Sequence, residues 1–124
     1  MNAINWFEIP ATDFDRAVTF YESLLQTQLN RMLFDGTPNA LFPYAEAGVG
    51  GAVVDAPYAK PSVDGAVVYL NAQNMSILDE ALKRAESLGG RIVMPKTDLG
   101  DVGYMALLID TEGNRVGLHI PAEG

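Results

Sequence analysis

The chain has 124 residues and no cysteine, which leaves room for one compact core and excludes a disulfide framework, a thiol nucleophile and a thiolate metal site. Sixteen acidic residues against eight basic ones give a formal charge of -8 and a pI near 4.4, so the chain lacks the basic face that a nucleic-acid partner needs. No apolar run reaches the length of a membrane span, and the opening Met1-Asn2-Ala3-Ile4-Asn5 lacks the basic start and apolar stretch of a secretion signal; the reading is of a soluble, cytoplasmic protein without a membrane partner.

Ile4–Ile9 is short, rich in β-branched and aromatic residues and stopped by Pro10, which predicts a strand ending at a turn. Phe14, Ala17, Val18, Tyr21, Leu24 and Leu25 then recur at helical spacing. They predict a helix over Asp13–Leu25, with Thr12 placed to cap it and Asp13 and Asp15 near the positive end of its dipole. Three strands are expected at about Leu29–Phe34, Asn39–Tyr44 and Gly51–Val54, separated by the turn signals Asp35-Gly36 and Ala47-Gly48.

A connection with two prolines, Asp55–Ser62, follows, and the same order restarts. Val67–Asn71 predicts a strand. Leu78, Ala81, Leu82, Ala85 and Leu88 mark a helix opened by Asn74 or Ser76 and closed by Gly89-Gly90, since glycine tolerates the left-handed conformation of a helix end. Arg91–Met94, Tyr104–Ile109 and Arg115–Ile120 supply three more strands, the last two joined by the turn-rich Asp110–Asn114. Each half therefore reads β-α-β-β-β, and Trp6 and Val67 occupy the same place in the two copies, 61 residues apart. The division is one domain, 1–124, with a first module over 1–56, a connection over 57–64 and a second module over 65–124.

Glu8-Ile9-Pro10-Ala11-Thr12-Asp13-Phe14-Asp15-Arg16-Ala17 with Phe20-Tyr21, the helix end Leu88-Gly89-Gly90, and Asp110-Thr111-Glu112-Gly113-Asn114 together resemble the vicinal oxygen chelate superfamily. That group includes glyoxalase I, extradiol dioxygenases, fosfomycin-resistance enzymes and bleomycin-resistance proteins. The resemblance covers nearly the whole chain. It implies an α+β fold in which two βαβββ modules form a cupped mixed sheet with helices outside, the glyoxalase/bleomycin-resistance/dihydroxybiphenyl-dioxygenase fold, and it implies a homodimer.

Side-chain alternation selects what faces such a cup. Phe7 and Ile9 fall on one side of the first strand and Trp6 and Glu8 on the other; Val68 and Leu70 oppose Val67, Tyr69 and Asn71; Val116, Leu118 and Ile120 oppose Gly117 and His119. The cup is thus expected to hold Trp6, Glu8, Tyr69, Asn71 and His119 as ligand-binding residues, with Glu8 and His119 as the candidate catalytic acid and base. Imidazole titrates near neutral pH, and a carboxyl in an apolar cup would be held protonated. Metal-using relatives place His or Glu on the first and fourth strands of each module. Those positions correspond here to Trp6, Val67, Gly117 and, by matching Glu46 with Glu112, Gly51. None of these can bind a metal, and one histidine cannot rebuild a His-rich set. No metal and no cofactor are expected, an unorthodox Glu8–His119 pair being the one metal alternative.

Elsewhere Gly48-Val49-Gly50-Gly51 lacks the following lysine of a phosphate-binding loop and reads as structural. Lys96–Asp101 is expected as a polar loop over one end of the cup. The first functional reading is a metal-free protein that binds a small, aromatic or amphipathic molecule in the sheet cup. The second is a lyase, isomerase or hydrolase using Glu8 and His119. A metal-dependent glyoxalase or dioxygenase comes third, and a scaffold with a filled cup is the alternative without a ligand.

Overall fold

The structure, a computed structural model, describes residues 2–122. Its elements run β1 (Trp6–Pro10), α1 (Phe14–Leu25), β2 (Asn30–Phe34), β3 (Thr37–Leu41), β4 (Gly50–Val54), β5 (Val68–Asn71), α2 (Met75–Ala85), β6 (Arg91–Asp98), β7 (Tyr104–Ile109) and β8 (Arg115–Ile120). The βαβββ order is therefore written twice. Each module makes a four-stranded mixed sheet, β1-β4-β3-β2 and β5-β8-β7-β6, in which β1 with β4 and β5 with β8 are parallel and the other neighbours antiparallel.

Local chemistry sets the ends of these elements. Asp13, not Thr12, caps α1: its side chain accepts the Arg16 N–H at 3.1 Å. Asn74 caps α2 in the same way, through Ile77 N–H at 3.0 Å. The second helix stops at Ala85, short of Leu88, because the chain turns over a left-handed Gly89 (φ 99°) and Gly90 N–H reaches back to the Ala85 carbonyl at 2.9 Å. Between β2 and β3, Asp35 (φ 52°) and Gly36 (φ 79°) form a two-residue hairpin turn with both φ positive. That turn starts β3 at Thr37, before the expected Asn39, and the strand ends at Leu41, short of the expected Tyr44. Pro38 sits at the end of the β3–β4 ladder, beyond the Asn39–Val54 pair, where its carbonyl still accepts the Asp55 N–H at 3.2 Å. Strand β6 likewise continues through Pro95 to Asp98, as an edge strand with two register shifts. Half of the expected Lys96–Asp101 loop is therefore strand, and the loop proper is a single 3-10 turn at Gly100–Val102.

One core joins the halves. Ile9, Ala40 and Val53 from the first sheet and Leu70, Leu108, Val116 and Leu118 from the second pack with Val18, Phe20, Tyr21 and Leu24 of α1 and Leu78, Ala81 and Ala85 of α2 in a single buried cluster. The Asp110–Asn114 turn clasps α1 to the second sheet. Glu112 Oε1 accepts the Thr12 and Asp13 N–H groups at 2.9 and 2.7 Å, and Oε2 accepts from Arg16 Nε at 2.7 Å. Tyr21 donates its hydroxyl to Asp110 at 2.6 Å, and Asn114 Nδ2 donates to the Pro10 carbonyl at 2.7 Å. Much of the motif that carried the family resemblance is thus a structural clasp between modules.

Candidate functional site

Strands β1 and β5 are edge strands of their sheets, and the space between them is a cleft of 770 Å³. Its size falls in the usual range for a small-molecule site, about 300–1,000 Å³. Trp6, Val67, Tyr69 and Asn71 reach it from the open faces, Phe7 and Leu25 from the helix side, and no charged side chain lines it. Two glycines seat aromatic rings in and beside it. A Cβ on Gly117 would stand 2.2 Å from the Tyr69 ring, and one on Gly50 would stand 2.6 Å from the Tyr44 ring. Tyr44 in turn meets Trp6 edge to face, with centroids 5.9 Å apart and planes at 83°.

Glu8 lies two residues along β1 from Trp6, in a second hollow of 290 Å³ that Trp6 also lines. The Tyr58 hydroxyl sits 2.9 and 3.0 Å from its two carboxylate oxygens and donates to them. That hydrogen bond, then burial and the Glu8 charge, raises the Tyr58 phenol above its ordinary value. Tyr58 belongs to the segment that the sequence marked only as an exposed connection; its aromatic ring between Pro57 and Pro61 was the available signal. His119 lines neither cavity. It neighbours Asn71 across the β5–β8 ladder, and its Nε2 lies 2.6 Å from the Val102 carbonyl of the 3-10 turn, to which it donates. The five expected site residues therefore divide: Trp6, Tyr69 and Asn71 share the cleft, Glu8 occupies the adjoining hollow, and His119 holds a loop.

The ladder registers also correct one position. Asp13 and Asn74 are equivalent caps, so Glu8 corresponds to Tyr69. Glu8 stands beside Ala52, and Tyr69 beside Gly117. The counterpart of Gly117 is Ala52, not Gly51, whose absent Cβ would point at the Phe7 ring on the helix side. Trp6, Ala52, Val67 and Gly117 offer no metal donor. Among the described residues no three His, Asp or Glu side chains lie close enough to hold an ion, and these residues do not fit the divalent site of metal-using relatives.

Two βαβββ modules in sequence, each a mixed four-stranded sheet with its helix on one face, define a paired-module α+β protein of the vicinal oxygen chelate type. The chain belongs to the Glyoxalase/Bleomycin resistance protein/Dioxygenase superfamily, whose family model matches residues 3–118. It is 28% identical over 117 residues to the Mycobacterium tuberculosis protein CFP32, provisionally named a glyoxylase; the match takes in 92% of this chain and 44% of that protein. The chain thus spans less than half the length of the curated relatives it matches. Among solved structures, a glyoxalase/bleomycin resistance protein from Albidiferax ferrireducens superposes with a TM-score of 0.72 at 17% identity, covering 98% of this chain and all of that one. A glyoxylase/bleomycin resistance protein/dioxygenase domain from Frankia sp. also gives 0.72, at 16% identity, with 98% and 99% covered. These likenesses concern the fold.

Proposed function

We propose that this chain is a metal-free member of its superfamily that binds a small apolar or aromatic molecule in the cleft between β1 and β5. The observation that carries this reading is the cleft itself: aromatic and aliphatic walls, the amide of Asn71 as a polar group to orient a ligand, and no charge. A neutral aromatic ring would stack on Trp6 or Tyr69, and burying it supplies about 25 cal/mol per Å² of apolar area covered. Trp6, Ala52, Val67 and Gly117 at the family's ligand positions support the metal-free reading, and no other cofactor forms part of the proposal. Met94 on edge strand β6 and Val102 on the neighbouring 3-10 turn are exposed, which supports assembly as a homodimer.

The test combines metal analysis of the purified protein with thermal shift and Trp6 fluorescence against neutral aromatics such as 4-nitroanisole; Trp6 is the single tryptophan. A ligand that binds the folded state raises the apparent melting temperature. Stabilisation and quenching that are weakened in Tyr69→Ala are the expected result. Stoichiometric metal that is lost on replacing Glu8 or His119 would refute the metal-free assignment, and the absence of any aromatic ligand would refute the cleft. The catalytic alternative, with Glu8 and His119 as acid and base, ranks second because the two groups line no common cavity and each already has a partner, Tyr58 and the Val102 carbonyl.

A further inference from the structure

The hollow beside the cleft has a different chemistry. Trp6, Phe34 and Tyr58 form its walls, Glu8 and Asp35 supply two carboxylates, and no lysine or arginine lines it. Among the described residues neither carboxylate is in an ion pair. The hairpin turn fixes Asp35 through its positive φ, and β1 fixes Glu8 beside Ala52, so both charges stand on ordered backbone. Aromatic faces attract a cation through their quadrupole, Trp most strongly, and a carboxylate at the same place adds direct charge attraction. At 290 Å³ the hollow suits a head group rather than a whole ligand, whose pockets run to about 300–1,000 Å³.

We propose that this hollow is a binding site for an organic ammonium group, and that the ligand is an amphiphilic amine whose cationic head lies among Glu8, Asp35, Trp6, Phe34 and Tyr58. Its apolar body passes Trp6 into the neutral cleft. Trp6 lines both spaces and is the natural point of passage. The ammonium site rests on the cleft reading only for the apolar body of the ligand. Tyr58 is the hollow's own competitor: its hydroxyl occupies the Glu8 oxygens that a cation would meet.

The experiment compares benzyltrimethylammonium with neutral 4-nitroanisole by Trp6 fluorescence and calorimetry at physiological ionic strength, in wild type, Glu8→Gln, Tyr58→Phe and Glu86→Gln. Glu86 is exposed at the end of α2, so its variant makes the same change in net charge away from the hollow. Glu8→Gln is expected to weaken the ammonium about tenfold and leave the neutral probe within about twofold, with Glu86→Gln moving neither. Tyr58→Phe keeps a ring wall but frees the carboxylate, and is expected to hold the ammonium more tightly. Equal loss in Glu8→Gln and Glu86→Gln would reduce the effect to bulk charge and overturn the site. Unchanged ammonium affinity in a folded Glu8→Gln would do the same. Ammonium binding without neutral-probe binding would sink the cleft reading and leave the hollow standing; the reverse pattern would sink the hollow alone.

Discussion

Gly117 and Gly103 both sit in close quarters, yet substituting them has opposite consequences. The atoms nearest a Cβ on Gly117 all belong to the Tyr69 ring, a half-exposed side chain that can swing into the cleft. Gly117→Ala is expected to lower stability by less than about 1 kcal/mol while weakening neutral-ligand binding, because the displaced ring takes the ligand's place. A Cβ on Gly103 would stand 1.9 Å from the Ile120 carbonyl, on backbone with φ 100°. That clash cannot relax through a rotamer, and Gly103→Ala is expected to lose about 3 kcal/mol or more in urea denaturation. Equal urea midpoints for the two variants would refute the distinction. At this scale the alternation in β1 and β5 was legible, because Phe7, Ile9 and Leu70 contrast in polarity or size with their neighbours. Strand β4 was not: Gly50–Val54 is small, apolar and buried throughout, so nothing in its sequence separates one face from the other. Gly51 was consequently read for Ala52. Tyr58 escaped because its partner Glu8 lies 50 residues away, and no local pattern announces such a pairing.

The clasp between α1 and the β7–β8 turn works as a unit. Burial opposes ionisation of Glu112, but hydrogen bonds from Arg16, the Asp13 N–H and the Thr111 hydroxyl outweigh it and hold the carboxyl below its ordinary value of 4.5. The Glu112 side chain is fully covered, whereas Arg16 is half exposed, so the backbone contacts at the start of α1 carry more weight than the solvent-screened ion pair. Glu112→Ala removes these bonds and is expected to destabilise the fold by about 2–3 kcal/mol at neutral pH, measured by urea denaturation. A folded-state pKa below the unfolded one gives stability that is present above 4.5 and lost as pH falls through the depressed value. The gap between wild type and Glu112→Gln should therefore shrink as the solution is acidified below 4.5; a gap independent of pH would deny the charged state its part. The sequence marked both pieces, the capped start of α1 and the Asp110–Asn114 turn, but not their union, which is a contact across 99 residues. Helices and hairpins were legible from periodicity and turn residues. The extent of β3 and β6 was not: the expected strands begin after Pro38 and stop before Pro95, whereas the structure carries them through both.

Over the whole molecule, the helix-side faces of both sheets share one core while their other faces remain open. Edge strands β1 and β5 bear Trp6 and Tyr69 without a paired neighbour beyond them. Unpaired edges and exposed apolar side chains on ordered strands invite a second surface. The strongly acidic chain, at -8, sets the terms of that contact: two like-charged copies repel, so an apolar interface between them should tighten as salt screens the repulsion. Sedimentation equilibrium is expected to show a dimer whose dissociation constant falls with added salt. Met94→Lys with Val102→Lys is expected to yield a monomer. Both side chains are exposed, so the variant should keep its helical circular dichroism and melting behaviour. Ammonium binding should move the opposite way, weakening with salt, because there the protein's charge attracts its ligand. The two salt responses thus separate the exposed edge of the second sheet at Met94 and Val102, whose pairing the same sign of charge opposes, from the hollow beside Glu8, which it favours. A wild-type chain that remains monomeric at high salt and high concentration would leave the sheet faces as solvent-facing surface and refute the dimer.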